Sequence, residues 1–72
     1  MEKILLNSEK IRAELARTGK PLAWLARECG ISPQRLNSWL QRQYAGGAIV
    51  IGRALGIGWR ELIREGGIGY EN

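Results

Sequence analysis

Five side chains between residues 32 and 41 can donate and accept hydrogen bonds without carrying a charge: Ser32, Gln34, Asn37, Ser38 and Gln41. Read as a helix, this stretch puts Leu36, Trp39 and Leu40 on one side, with Gln34, Asn37, Ser38 and Gln41 on the other. Surface helices usually carry Lys and Glu pairs there. A row of amides and hydroxyls suits hydrogen-bonding to the edges of base pairs in a DNA groove. Catalysis is poorly served. The chain has no His, no Asp and a single Cys, so the usual acid/base and nucleophile pairings cannot be assembled. One thiol without histidine does not make an ordinary zinc site. No Gly-Lys-Ser/Thr occurs, and Gly56-Ile57-Gly58 lacks a third glycine at dinucleotide-binding spacing. The expectation is a non-enzyme with no cofactor and no metal.

Two short helices must position that face. Ser32 followed by Pro33 is a strong helix start, with the hydroxyl as cap and the ring at the first position. Upstream, Leu22, Leu25, Ala26 and Cys29 repeat at helical spacing behind Pro21, and Gly30 ends the run. Ala26 is small where two helices cross closely, and Gly30 permits a positive φ in a tight turn. Leu25, Cys29, Ile31, Leu36 and Trp39 would form the small core that fixes the interhelical angle. Seven positions from Leu22 to Trp39 thus agree with a helix-turn-helix. A generic helical hairpin would explain the apolar positions and the Gly, but neither the small residue at 26 nor the uncharged outer face.

Charge is distributed unevenly. All seven acids are Glu, and none falls between Glu28 and Glu61. Arg35, Arg42, Arg53 and Arg60 lie in that gap, so residues 29–60 carry the whole excess of +4. An acid-free basic segment overlapping the proposed reading helix is what a phosphate-facing surface requires, although small basic proteins are common.

Around the motif, Asn7 and Ser8 can cap a first helix with Glu9 in its first turn. Ile11 and Leu15 share its buried face, and Thr18-Gly19 stops it. Ile4-Leu5-Leu6 is expected either to open that helix or to fold back onto the core. Residues 43–47 read as a loop broken by Gly46-Gly47. Ala48, Ile51 and Leu55 can share one face of a fourth helix ended by Gly56; the β propensity of residues 48–51 leaves a strand as the alternative. Gly58 can cap a fifth helix from Trp59 to about Glu65, and a tail over about 66–72 is expected to be loose. The whole, residues 1–72, reads as one all-α domain of about five short helices, with the reading helix over about 32–41.

Seventy-two residues bury only about 60% of their unfolded surface, which makes association with a second copy a natural aid. Ile49, Val50, Trp59, Ile63, Ile68 and Tyr70 exceed what the core needs and are candidates for a two-fold contact; Trp24 and Trp59 could equally pack locally. Cys29 reads as a small packing residue rather than a reactive thiol. MEKILLNSEK lacks the apolar core of a signal peptide, roughly 7–15 residues, and no stretch is long enough to span a membrane. A cytoplasmic setting is expected, in a bacterium, its nucleoid or a phage-infected host.

Residues 11 to 63 resemble the phage repressor/Cro-type helix-turn-helix family, the lambda-repressor-like fold. The resemblance rests on IRAELARTGKPLAWLARECGI, SPQRLNSWL and GRALGIGWRELI. It implies base contacts from Ser32, Pro33, Gln34, Asn37, Ser38 and Gln41, with Gln34 and Asn37 able to bond adenine bidentately. Arg35 and Arg42 would meet phosphate, or guanine in the case of Arg35, and Lys20 and Arg53 are further phosphate candidates. Leu22 stands where the family usually has a polar residue, so the third helix and nearby arginines must do more of the holding. The implied protein is a small Cro-like repressor, a homodimer on a near-palindromic double-stranded operator. An alternative is an antitoxin-like or adaptor module that holds a protein partner through its apolar C-terminal half.

Overall fold

Each helix begins and ends at the residues whose chemistry demands it. In a computed structural model describing residues 3–66, strand β1 (Lys3–Leu6) is followed by helices α1 (Ser8–Thr18), α2 (Leu22–Cys29), α3 (Pro33–Arg42) and α4 (Ala48–Leu55). Strand β2 (Ile63–Gly66) closes the order, and single 3-10 turns lie at Ala45–Gly47 and Trp59–Leu62. The Asn7 side chain caps α1 by accepting from the Lys10 N–H (3.1 Å). Ser32 Oγ accepts from the Arg35 N–H (3.1 Å) and caps α3. Gly30 takes φ +74° at the end of α2, the left-handed conformation expected of the turn between the two helices.

The core draws on every part of the chain. Leu6 of β1, Ile11 of α1, Leu25 of α2, Leu36 and Leu40 of α3, Ile51 of α4 and Leu62 of the second 3-10 turn are all fully buried. Ala26 and Ala48 are buried with them. Helix α4 packs chiefly against α2 and against the Trp59–Leu62 turn. It is a helix throughout residues 48–55, which settles the helix-or-strand alternative at 48–51.

The expected all-α bundle of five helices is corrected at both ends. Four α-helices are present among the described residues, and the fifth is replaced by the Trp59–Leu62 turn and β2. β1 and β2 pair antiparallel with Leu6 opposite Ile63 and Lys3 opposite Gly66. The reason is competition. A helix of one or two turns gains little by itself, whereas Ile63 and Ile4-Leu5-Leu6 have the β propensity to form a ladder once brought together. Ile4-Leu5-Leu6 therefore neither opens α1 nor merely folds onto the core; it does so as a strand. Gly66, placed in the loose tail by expectation, belongs to β2, and residues 67–72 lie outside the described residues. Pro21 is the N-cap of α2. Cys29, Ile31 and Trp39, expected in the core, are only half-buried and pack at its margin.

The N-terminal strand also fastens the end of α3. The Leu6 N–H donates to the Gln43 carbonyl (3.0 Å), Leu5 bridges to Tyr44, and Ser8 Oγ donates to the Leu40 carbonyl (2.6 Å). These bonds satisfy carbonyls that a helix C-terminus leaves open.

Candidate nucleic-acid interface

α3 is organised by the 100° turn per residue of a helix. Leu36 and Leu40 point into the core, so the opposite strip carries Gln34, Asn37, Ser38 and Gln41. Gln34, Asn37 and Gln41 are exposed and Ser38 is half-buried. Pro33 is exposed on one flank of the strip. Arg35 and Arg42, seven residues apart, are exposed on the other. Ser32 stands at the helix entrance, where its hydroxyl oxygen is engaged in capping. All six proposed base-reading residues thus fall along one helix and its cap, together with two of the four phosphate candidates.

The other two phosphate candidates sit elsewhere. Lys20 precedes α2, and its Nζ lies 5.1 Å from the centre of the Trp24 ring, a cation–π arrangement. Arg53 is exposed on the outward side of α4. Ion pairs among the described residues are confined to Lys10–Glu61 and Arg17–Glu14. Arg35, Arg42, Arg53 and Lys20 therefore have no carboxylate partner among the described residues. The Arg17 hydrogen bond holds the Glu14 carboxyl below its ordinary range; this pair lies on α1, with Arg17 exposed and Glu14 half-buried.

At the C-terminal end of α3, Gln43 is the one described non-glycine residue with a positive φ (55°). The left-handed step turns the chain back, and the Tyr44 N–H donates to the Trp39 carbonyl (2.9 Å). The Tyr44 ring then lies 5.6 Å from the Trp39 ring at 51°, with the Arg42 guanidinium 6.0 Å above it. Arg35, Ser38, Trp39, Arg42 and Tyr44 line an open depression of about 450 Å³ beside this strip of α3. Spacing arguments did not find this feature. Spacing places Trp39 in the core and makes Gly46-Gly47 a simple breaker; the signal available is an aromatic two residues after Arg42 and two before a pair of glycines.

A helix with a polar, uncharged outer face, set by a Gly turn against a second helix, also matches a known family. Residues 6–63 match the model of winged helix-turn-helix DNA-binding domains. The chain belongs to that family. Neither a curated protein nor a solved structure matches it. The match to the winged helix-turn-helix family supports the helix-turn-helix itself, and not the repressor/Cro type within it. In this winged helix-turn-helix domain the matched segment runs from the last residue of β1 to the first of β2, so it spans all four helices. The strands come from the two ends of the described chain rather than from a hairpin following α3. The element directly after α3 is instead the turn over residues 43–47, with its 3-10 helix at Ala45–Gly47.

Proposed function

We propose that this domain is a sequence-specific regulator of transcription that reads the major groove of double-stranded DNA with α3. The observation that carries the reading is the strip of Gln34, Asn37, Ser38 and Gln41, turned away from the core and bordered by two arginines that have no acidic partner among the described residues. Uncharged donors and acceptors discriminate base pairs, while the cations supply affinity that does not depend on sequence. Helix α3 is ten residues long, about 15 Å, and so covers only a few base pairs. A small repressor of this kind acts best as a homodimer on a near-palindromic operator, with reading helices about 34 Å apart. Ile49, Val50 and Trp59 are exposed and, with half-buried Ile63, are the described candidates for the two-fold contact; Ile68 and Tyr70 lie outside the described residues.

The same exposed apolar side chains support a second reading, an antitoxin-like or adaptor module that holds a protein partner. Selection of bound duplexes from random DNA separates the two. A regulator enriches one motif, with paired half-sites if it acts as a dimer, and loses affinity steeply with salt. Failure to enrich any motif, with weak binding of equal strength to all duplexes, would leave the partner-binding module as the better account.

A further inference from the structure

Arg35 and Arg42 are separated by about two helical turns, roughly 10 Å along the axis, yet both line one depression, with Ser38 between them on the helix. That depression is constructed rather than incidental. Gly46 lies so close to Tyr44 that a Cβ there would come within 2.5 Å of the ring and its hydroxyl. A Cβ on Gly47 would come within 2.6 Å of the Trp39 ring. Two adjacent residues lack side chains at the points where two aromatic rings cross them. The Leu5 bridge to Tyr44 and the Leu6 bond to Gln43 anchor the turn from its other side. Tyr44 is thereby fixed under Arg42, and a guanidinium stacked on an aromatic ring keeps its donors free and oriented.

The position of the depression on α3 selects its ligand. A helix with its side chains is about 10–12 Å across, and the major groove is about 12 Å wide. If the Gln34–Gln41 strip faces the floor of the groove, side chains a quarter-turn away meet the strand that borders it. Arg35 and Arg42 are on that flank. Resting on the major-groove reading proposed above, we infer that Arg35 and Arg42 close together on a single backbone phosphate of the bordering strand. Ser38 and Tyr44 hydroxyls lie beside that phosphate, and Tyr44, braced by Trp39 and the Gly46-Gly47 pair, is the residue that positions Arg42. Ser38 moves in this account from reading bases to holding the strand.

Shared and separate phosphates leave different marks on salt dependence, because log K falls with log salt by about 0.9 per phosphate neutralised. The probe is a duplex recovered from the random-DNA selection, titrated across salt with wild type, Arg35→Ala, Arg42→Ala and the double variant; circular dichroism confirms that each is folded. With a shared phosphate, each single variant keeps nearly the wild-type slope and the double variant loses about 0.9. Tyr44→Phe, which keeps the stacked ring, should bind as wild type apart from a small loss. Tyr44→Ala should weaken binding in the wild-type background, and in Arg42→Ala should add no more than the small loss seen with Tyr44→Phe. Replacing one phosphate of the duplex by an uncharged methylphosphonate should abolish the difference between wild type and double variant at that position alone.

Single variants that each lose about 0.9, adding to about 1.8, overturn the shared site while leaving DNA binding intact, as does an unchanged slope in the double variant. A free nucleotide that displaces duplex from wild type but not from the double variant, at equal ionic strength, also overturns it and assigns the depression to a small anion. Wild-type protein that binds no duplex removes the major-groove reading, and this one with it.

Discussion

Asn37 lies near the middle of α3 with its side chain exposed, where no intramolecular partner holds it among the described residues. Substitution by alanine should cost about 1–3 kcal/mol on the selected duplex and relax the preference at one base pair. Arg42→Ala should instead weaken selected and random duplexes alike. Competition titration distinguishes them: an equal loss on both duplexes for Asn37→Ala removes its base-reading role. Cys29 makes a different kind of statement. Its Sγ sits 4.0 Å from the Val50 carbonyl, and its thiol pKa is raised by burial first and by the neighbouring Glu28 second. The folded state therefore favours the neutral thiol. Whatever stability this adds is complete below the unfolded thiol's pKa and is lost as pH climbs through the folded one. Native protein at pH 8 should react with iodoacetamide more slowly than the same chain in urea. Equal rates would mean that the half-buried site gives the thiolate no disadvantage. The buried stripe of α2 was legible from spacing, but the depth of Cys29 on it was not, because periodicity gives a face and not a distance from the margin.

At the level of the elements, two glycines that look alike in the sequence work by different physics. Gly30 takes φ +74° with open space around its missing Cβ, so alanine there should cost about 1–2 kcal/mol through the backbone alone. Gly52 sits inside α4, where helix propensity alone would reward alanine by about 1 kcal/mol. Its Cβ would, however, come within 2.6 Å of the Ile57 carbonyl oxygen and 3.4 Å of the Trp59 backbone. That is backbone, not a flexible side-chain tip, so Gly52→Ala should push the Trp59 turn away and destabilise by about 1–3 kcal/mol. Urea unfolding should show both losses, and only Gly52→Ala should alter native tryptophan fluorescence. A more stable Gly52→Ala would show that the turn yields freely. These cases also mark where sequence reading succeeds. Caps and stops such as Asn7, Ser32 and Gly30 act within a few residues, so α1, α2 and α3 were readable almost to their ends. β1 and β2 are four-residue strands nearly sixty positions apart in the chain, and no local pattern in Trp59–Glu65 announces a partner at Ile4–Leu6. The same blindness hid the Tyr44 turn, whose place is set by β1 as much as by its own residues.

For the whole molecule, that N-terminal strand joins stability to the surface proposed to read DNA. Leu6 is fully buried and its N–H holds Gln43, while Ile4 on the same strand is 50% exposed. A domain of this size has about 5–15 kcal/mol of stability in all, and removing a buried leucine side chain typically costs about 2–5 kcal/mol. Leu6→Ala should therefore lower the melting temperature by about 4–8 °C for each kcal/mol lost, whereas Ile4→Ser should stay within about 0.5 kcal/mol. The more telling measurement is DNA affinity at a temperature where Leu6→Ala is still folded. The main-chain bonds to Gln43 and Tyr44 do not need the leucine side chain, but they need β1 in place. If β1 remains paired, affinity should be close to wild type; if the strand detaches, the Tyr44 turn loses its anchor and binding should weaken with Arg42 still present. Proton exchange at the Leu6 amide reports which has happened. Weakened DNA binding with that amide still protected would break the proposed link between β1 and the end of the reading helix.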